Sequence, residues 1–117
     1  MKRVLLVLLM LLAACAPQNA NDLTVTLEPS VFSVGRRDLL ITVQRGDKPF
    51  ETQNLAIEGN MTHAGMGTVS GSAVALGGGR YRVKNFDFNM SGDWILTVSA
   101  TENGKTLTGE VKLGVSQ

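Results

Sequence analysis

The chain is poor in several residue types that would otherwise decide its chemistry. Among 117 residues it has one cysteine, one histidine, three prolines and six aromatics, four of them Phe. A single cysteine excludes an intramolecular disulfide, so packing alone must hold the fold. A single histidine excludes any site built from several imidazoles and leaves one candidate base for catalysis, while no Ser or Cys stands in a recognisable nucleophile setting. Asp87 and Asp93 are the nearest approach to a catalytic carboxylate pair, but they flank a Phe-Asn-Met-Ser-Gly turn and have no aromatic sugar platform beside them. The chain is therefore expected not to be an enzyme, and no small-molecule substrate is evident. Charge is also scarce: 11 basic and 10 acidic residues give a net charge of +1. Without a basic cluster in the sequence, nucleic acid and anionic headgroups are not expected partners. Amphipathic helical periodicity, internal repeats and apolar runs of the ~20 residues a spanning helix needs are all missing. Gly77-Gly78-Gly79 lacks a following helix with a Lys-Ser or Lys-Thr pair, which favours a turn over a phosphate loop.

What is present begins with a leader. Lys2 and Arg3 precede an unbroken apolar run over residues 4–12, the layout of a secretory signal peptide. Leu12-Ala13-Ala14-Cys15 follows, and resembles the bacterial lipobox, in which the cysteine becomes the lipid-modified first residue of the mature protein. The plainer alternative is an ordinary cleavage site with a stray thiol. Against it, Cys15 is the only cysteine and falls where the lipobox requires it. The resemblance implies a signal peptide over 1–14, a lipidated Cys15 with a polar tether through 15–22, and one domain over 23–117, anchored by lipid to a membrane of the bacterial cell envelope on its extracytoplasmic side. An acylated Cys15 is unavailable as a metal ligand or redox nucleophile. Without Lys2 and Arg3, nine basic and ten acidic residues remain.

From Leu23 the pattern has period two, as in strands with one buried face. Leu23, Val25 and Leu27 alternate with polar residues up to Pro29-Ser30, and Leu39, Ile41 and Val43 do the same before a turn at 45–49. Leu55 and Ile57 start a row that, continued through Gly59, places Met61 and His63 on the same side. Val69, Val74 and Leu76 give short apolar pieces. Tyr81 and Val83 alternate with Arg80, Arg82 and Lys84, and Phe86 and Phe88 continue that strand. Trp94, Leu96 and Val98 share a face, which makes Trp94 a core residue, and an Asn103-Gly104 hairpin leads to Leu107, Val111, Leu113 and Val115. About seven short strands with turn signals every 8–12 residues predict an all-β, immunoglobulin-like antiparallel β-sandwich.

One segment stands apart. Asn60-Met61-Thr62-His63-Ala64-Gly65-Met66-Gly67 holds the only histidine and two of the three methionines beyond the leader. Thioether sulfur is a soft neutral donor and imidazole a borderline one, a set that suits Cu(I) better than Zn²⁺, Ca²⁺ or Mg²⁺. The alternative is that the methionines merely fill a core. The segment carries too little apolar bulk for a core strand, which favours the metal reading, and Gly65 and Gly67 allow a sharp turn that folds Met66 back over His63.

This loop, together with Gly79-Arg80-Tyr81 and Phe88-Asn89-Met90-Ser91-Gly92-Asp93-Trp94, resembles the YtkA-like domain family, related to FixH-like proteins, over roughly residues 23–115. The resemblance implies a small exported or membrane-anchored β-sandwich, in contexts that include copper handling and respiratory oxidase assembly. It implies too that the Met66 loop and the Met90 turn lie at one end of the sandwich, so that Met61, His63, Met66 and Met90 form a three- or four-coordinate Cu(I) site. The lone histidine points away from a Cu(II) site. Because only the imidazole must lose a proton to bind, affinity is expected to weaken below about pH 6.5. The expected function is copper binding or delivery to an accepting protein; the alternative is a metal-free interaction module of an envelope or respiratory assembly.

Overall fold

A computed structural model describes residues 23–28, 31–62 and 67–117, and within them every regular element is a strand. In chain order these are β1 (Thr24–Glu28), β2 (Val31–Ser33), β3 (Gly35–Arg45), β4 (Lys48–Pro49), β5 (Ala56–Met61), β6 (Val69–Gly77), β7 (Arg80–Phe88), β8 (Gly92–Glu102) and β9 (Lys105–Ser116). The first layer runs β1-β3-β7-β6, with β4 added to β3, and the second runs β5-β8-β9-β2. Seven principal strands in this order reproduce the four-plus-three arrangement of an immunoglobulin-like sandwich, and the two short pieces β2 and β4 bring the number to nine. Each pairing is antiparallel except that of β2 with β9, which is parallel.

Two features join the layers at their margins. Residues 69–72 of β6 pair with β5, and residues 73–77 of the same strand pair with β7, so β6 passes from one sheet to the other. At the opposite margin the Leu23 N–H donates to the Thr108 carbonyl at 2.9 Å. The chain crosses between layers again over residues 50–55. There the Tyr81 hydroxyl donates to the Phe50 carbonyl at 2.6 Å and accepts from the Thr52 N–H at 3.0 Å, while the Glu51 carboxylate accepts from the Gly79 N–H.

Alternation fills the interior as the sequence predicts. Leu39, Ile41, Val43, Tyr81, Val83, Leu96 and Val98 are fully buried, as is Trp94, whose ring meets Phe88 edge-on at 5.3 Å. Phe86 and Phe88, however, are out of phase with Tyr81 and Val83. A bulge restores them: Arg37 pairs with Phe86 but Leu39 with Val83, and Asn85, at φ 53°, is the surplus residue, its N–H bound to Asp38 Oδ1 at 3.0 Å. The hairpin at Asn103-Gly104 has positive φ at both positions, as a tight primed turn demands.

The structure corrects one expectation about the core. Val74 and Leu76, read as short apolar pieces, belong to a single nine-residue strand and face outward. Met61, by contrast, is 9 % exposed and joins the core with its Cε against Gly92, and in the same row Gly59, with Gly71 beside it, leaves room for the Phe86 ring.

Candidate metal centre

β5 ends at Met61, directly opposite Trp94 of β8, and the Thr62 N–H donates to the Asp93 carbonyl at 3.1 Å, extending the pairing one step. The Met61 side chain therefore continues the inward row of Leu55, Ile57 and Gly59 to the rim of the sandwich. Its Cε lies 2.7 Å from where a Cβ on Gly92 would be, and Gly92, at φ +134°, is both conformationally and sterically a position for glycine.

Met90 lies two residues before that glycine, in the link between β7 and β8. Its carbonyl accepts from Trp94 Nε1 at 3.0 Å, so the buried indole fixes the turn while the side chain stays 45 % exposed. Met61 and Met90 thus stand at the same end of the sandwich, both against the turn around Gly92. The described residues stop at Thr62 and resume at Gly67, and the Thr68 hydroxyl donates to Asn60 Oδ1 at 2.6 Å, tying the two flanks together. His63 and Met66, which complete the expected donor set, lie outside the described residues, as does Cys15.

Two depressions open at this end. One, of about 550 Å³, is bordered by Thr62, Asp93, Ile95 and Lys112; the other, of about 420 Å³, by Val34, Asn89, Met90 and Gln117. Arg37 stiffens the wall beside Met90, its guanidinium donating to the carbonyls of Ser33 at 3.0 Å and Val34 at 2.8 Å. Among the described residues no three His, Cys, Asp or Glu side chains converge. Asp87 and Asp93 fall in different sheets.

The Asn60–Thr68 clamp, the Arg37 brace and the fit of Met61 to Gly92 are absent from the sequence reading. Only the last left a signal there, a glycine two residues after a turn methionine.

A family model described as YtkA-like matches residues 17–99. The chain belongs to the YtkA-like family. The match takes in β1 through most of β8 and both segments that carry Met61 and Met90, while β9 lies beyond it. Neither a curated protein nor a solved structure matches this YtkA-like chain.

Proposed function

We propose that this YtkA-like protein is a membrane-tethered, extracytoplasmic copper-binding or copper-delivery domain that serves respiratory oxidase assembly, with Met61, His63, Met66 and Met90 as donors and Cys15 as its lipid anchor. The observation that carries the reading is the placement of Met61 and Met90 against the same Gly92 turn, with His63 and Met66 following Met61 closely in the sequence. The two thioethers differ in a way that suits transfer. Met61 is held by the core and keeps its position, whereas Met90 is open to solvent, where an acceptor's ligand meets it first. Neutral donors bind Cu(I) without the grip of thiolates, so the ion can leave again.

A metal-free interaction module is the second reading, and one observation favours it: Met61 is buried like any core-filling methionine. Anaerobic Cu(I) titration of the domain beginning at Ala16, against a competing chelator, separates the two. Under the copper reading the domain takes one equivalent, binds Zn²⁺ poorly, and loses at least about tenfold in affinity in His63→Ala and in Met66→Leu, while melting as wild type because Leu replaces Met at nearly equal volume. Met90→Leu tests the exposed donor separately. If all three variants bind as wild type does, the copper reading fails and the interaction module replaces it.

A further inference from the structure

We infer that the outer face of β6 and β7 is a surface that rests on anionic phospholipid. Arg80, Arg82 and Lys84 alternate along β7 with the inward Tyr81 and Val83, so all three cations leave the sheet on one side. Val74 of β6 stands opposite Arg82 in the register, hence on that side too, and is 62 % exposed; Leu76, the surplus residue of the β6 bulge, is 45 % exposed beside Arg80. Among the described residues none of the three cations has a carboxylate within ion-pair distance, the ion pair there being Arg45 with Glu102. The outer face of the other sheet is instead acidic, with Glu58, Asp93 and Glu110 against Lys112. Arg80, Arg82, Lys84, Val74 and Leu76 thus form a basic-apolar strip along β6 and β7, where cations can meet phosphates and branched side chains can enter the headgroup layer, while Glu28 of β1 and Asp38 and Asp87 beside the β7 bulge stand farther along the same outer side.

Charge selects the occupant. A second copy paired along the open edge of residues 73–77 would set six like charges on one continuous face, which disfavours it. An anionic lipid surface complements all three cations at once. The inference rests on the lipid-anchor reading in one respect: residues 16–22 join Cys15 to Leu23, immediately before β1 of this same sheet, and the eight steps between them span at most ~28 Å, which keeps the sheet within reach of the lipid. Each cation near an anionic surface raises partitioning about fivefold, so three give about a hundredfold. That is too little to hold a free domain and enough to orient an anchored one.

The test uses the protein extracted from membranes and placed on vesicles of phosphatidylcholine, with or without phosphatidylglycerol. An environment-sensitive dye is attached at Val74→Cys or, on the opposite sheet, at Glu110→Cys. The expected result is a shift to apolar emission at position 74 on the phosphatidylglycerol vesicles alone, reversed by molar salt and by combined Arg80→Glu, Arg82→Glu and Lys84→Glu, with no change at position 110. Equal emission at position 74 on both vesicle types, or a response at position 110, overturns the proposal. Shielding of position 74 in native membranes but not on phosphatidylglycerol vesicles assigns the face to an acidic protein and overturns it as well. Two dyes per chain would reveal a free Cys15 and defeat the anchor reading; the face is then judged by co-sedimentation with phosphatidylglycerol vesicles at low salt, where the triple variant must lose about a hundredfold in binding if the face is correctly assigned.

Discussion

At the scale of single residues, Tyr81 shows how much one side chain can fasten. Its hydroxyl satisfies the Phe50 carbonyl and the Thr52 N–H, two backbone groups of the crossover that links the layers. Tyr81→Phe leaves both without a partner in a buried place, at a cost of about 1–3 kcal/mol. Burial raises its pKa above 10.0; the Thr52 N–H opposes this and the nearby Glu51 carboxylate adds to it. The neutral phenol is therefore favoured by folding, and its contribution is complete below pH 10.0, the unfolded value, and lost as pH rises through the higher folded value. Because this is the only tyrosine, phenolate absorbance reports it alone. Wild type should lose stability as that absorbance appears, and Tyr81→Phe should melt lower at neutral pH yet show a flatter alkaline slope; parallel slopes would show the hydroxyl to be uncoupled from folding. Individual residues were also where the sequence was most informative. The alternation that put Trp94 in the core, and Met61 at the end of the Leu55-Ile57 row, is read directly from period two. The Asn60–Thr68 hydrogen bond was not legible, since two common polar residues eight positions apart carry no pattern.

At the scale of elements, β5 and β6 depend on what their glycines leave out. A Cβ on Gly59 would lie 2.7 Å from Phe86 Cζ and 3.1 Å from Leu96 Cδ2, both of them core side chains with nowhere to move. Gly59→Ala should cost about 1–3 kcal/mol by overpacking, and Phe86→Leu in the same chain should recover part of it, a coupling that a double-mutant cycle measures. Additive losses would mean that the ring is not the obstacle. The bulk over Gly59 comes from Phe86 of β7, which no local sequence window around β5 contains. The same limit hid the course of β6. Val74 and Leu76 are apolar yet face outward, whereas the strand's inner face is made of Val69, Gly71 and Ala73. The bulge at Asn85 was legible in principle, as a broken parity between Val83 and Phe86, and its physical partner Asp38 was not.

For the molecule as a whole, the fold class followed from many weak signals that agreed, while the placement of function depended on topology. Antiparallel pairing of β5 with β8 carries the end of one strand to the start of another, and this alone brings Met61 to the turn that holds Met90. No spacing in the chain encodes that meeting; the YtkA-like resemblance suggested a common end for the Met66 loop and the Met90 turn, and Met66 lies outside the described residues. Segregated charge is a property of the same scale, invisible in a net value near zero. The central claim, that this end of the sandwich binds Cu(I), is met most directly by NMR of the domain beginning at Ala16 with its methionine methyls labelled in ¹³C, since that domain contains only Met61, Met66 and Met90. Added anaerobically, Cu(I) should shift all three methyl signals together and stop at one equivalent, with Zn²⁺ leaving them in place. Methyl signals that stay unmoved through several equivalents of Cu(I) would contradict the account.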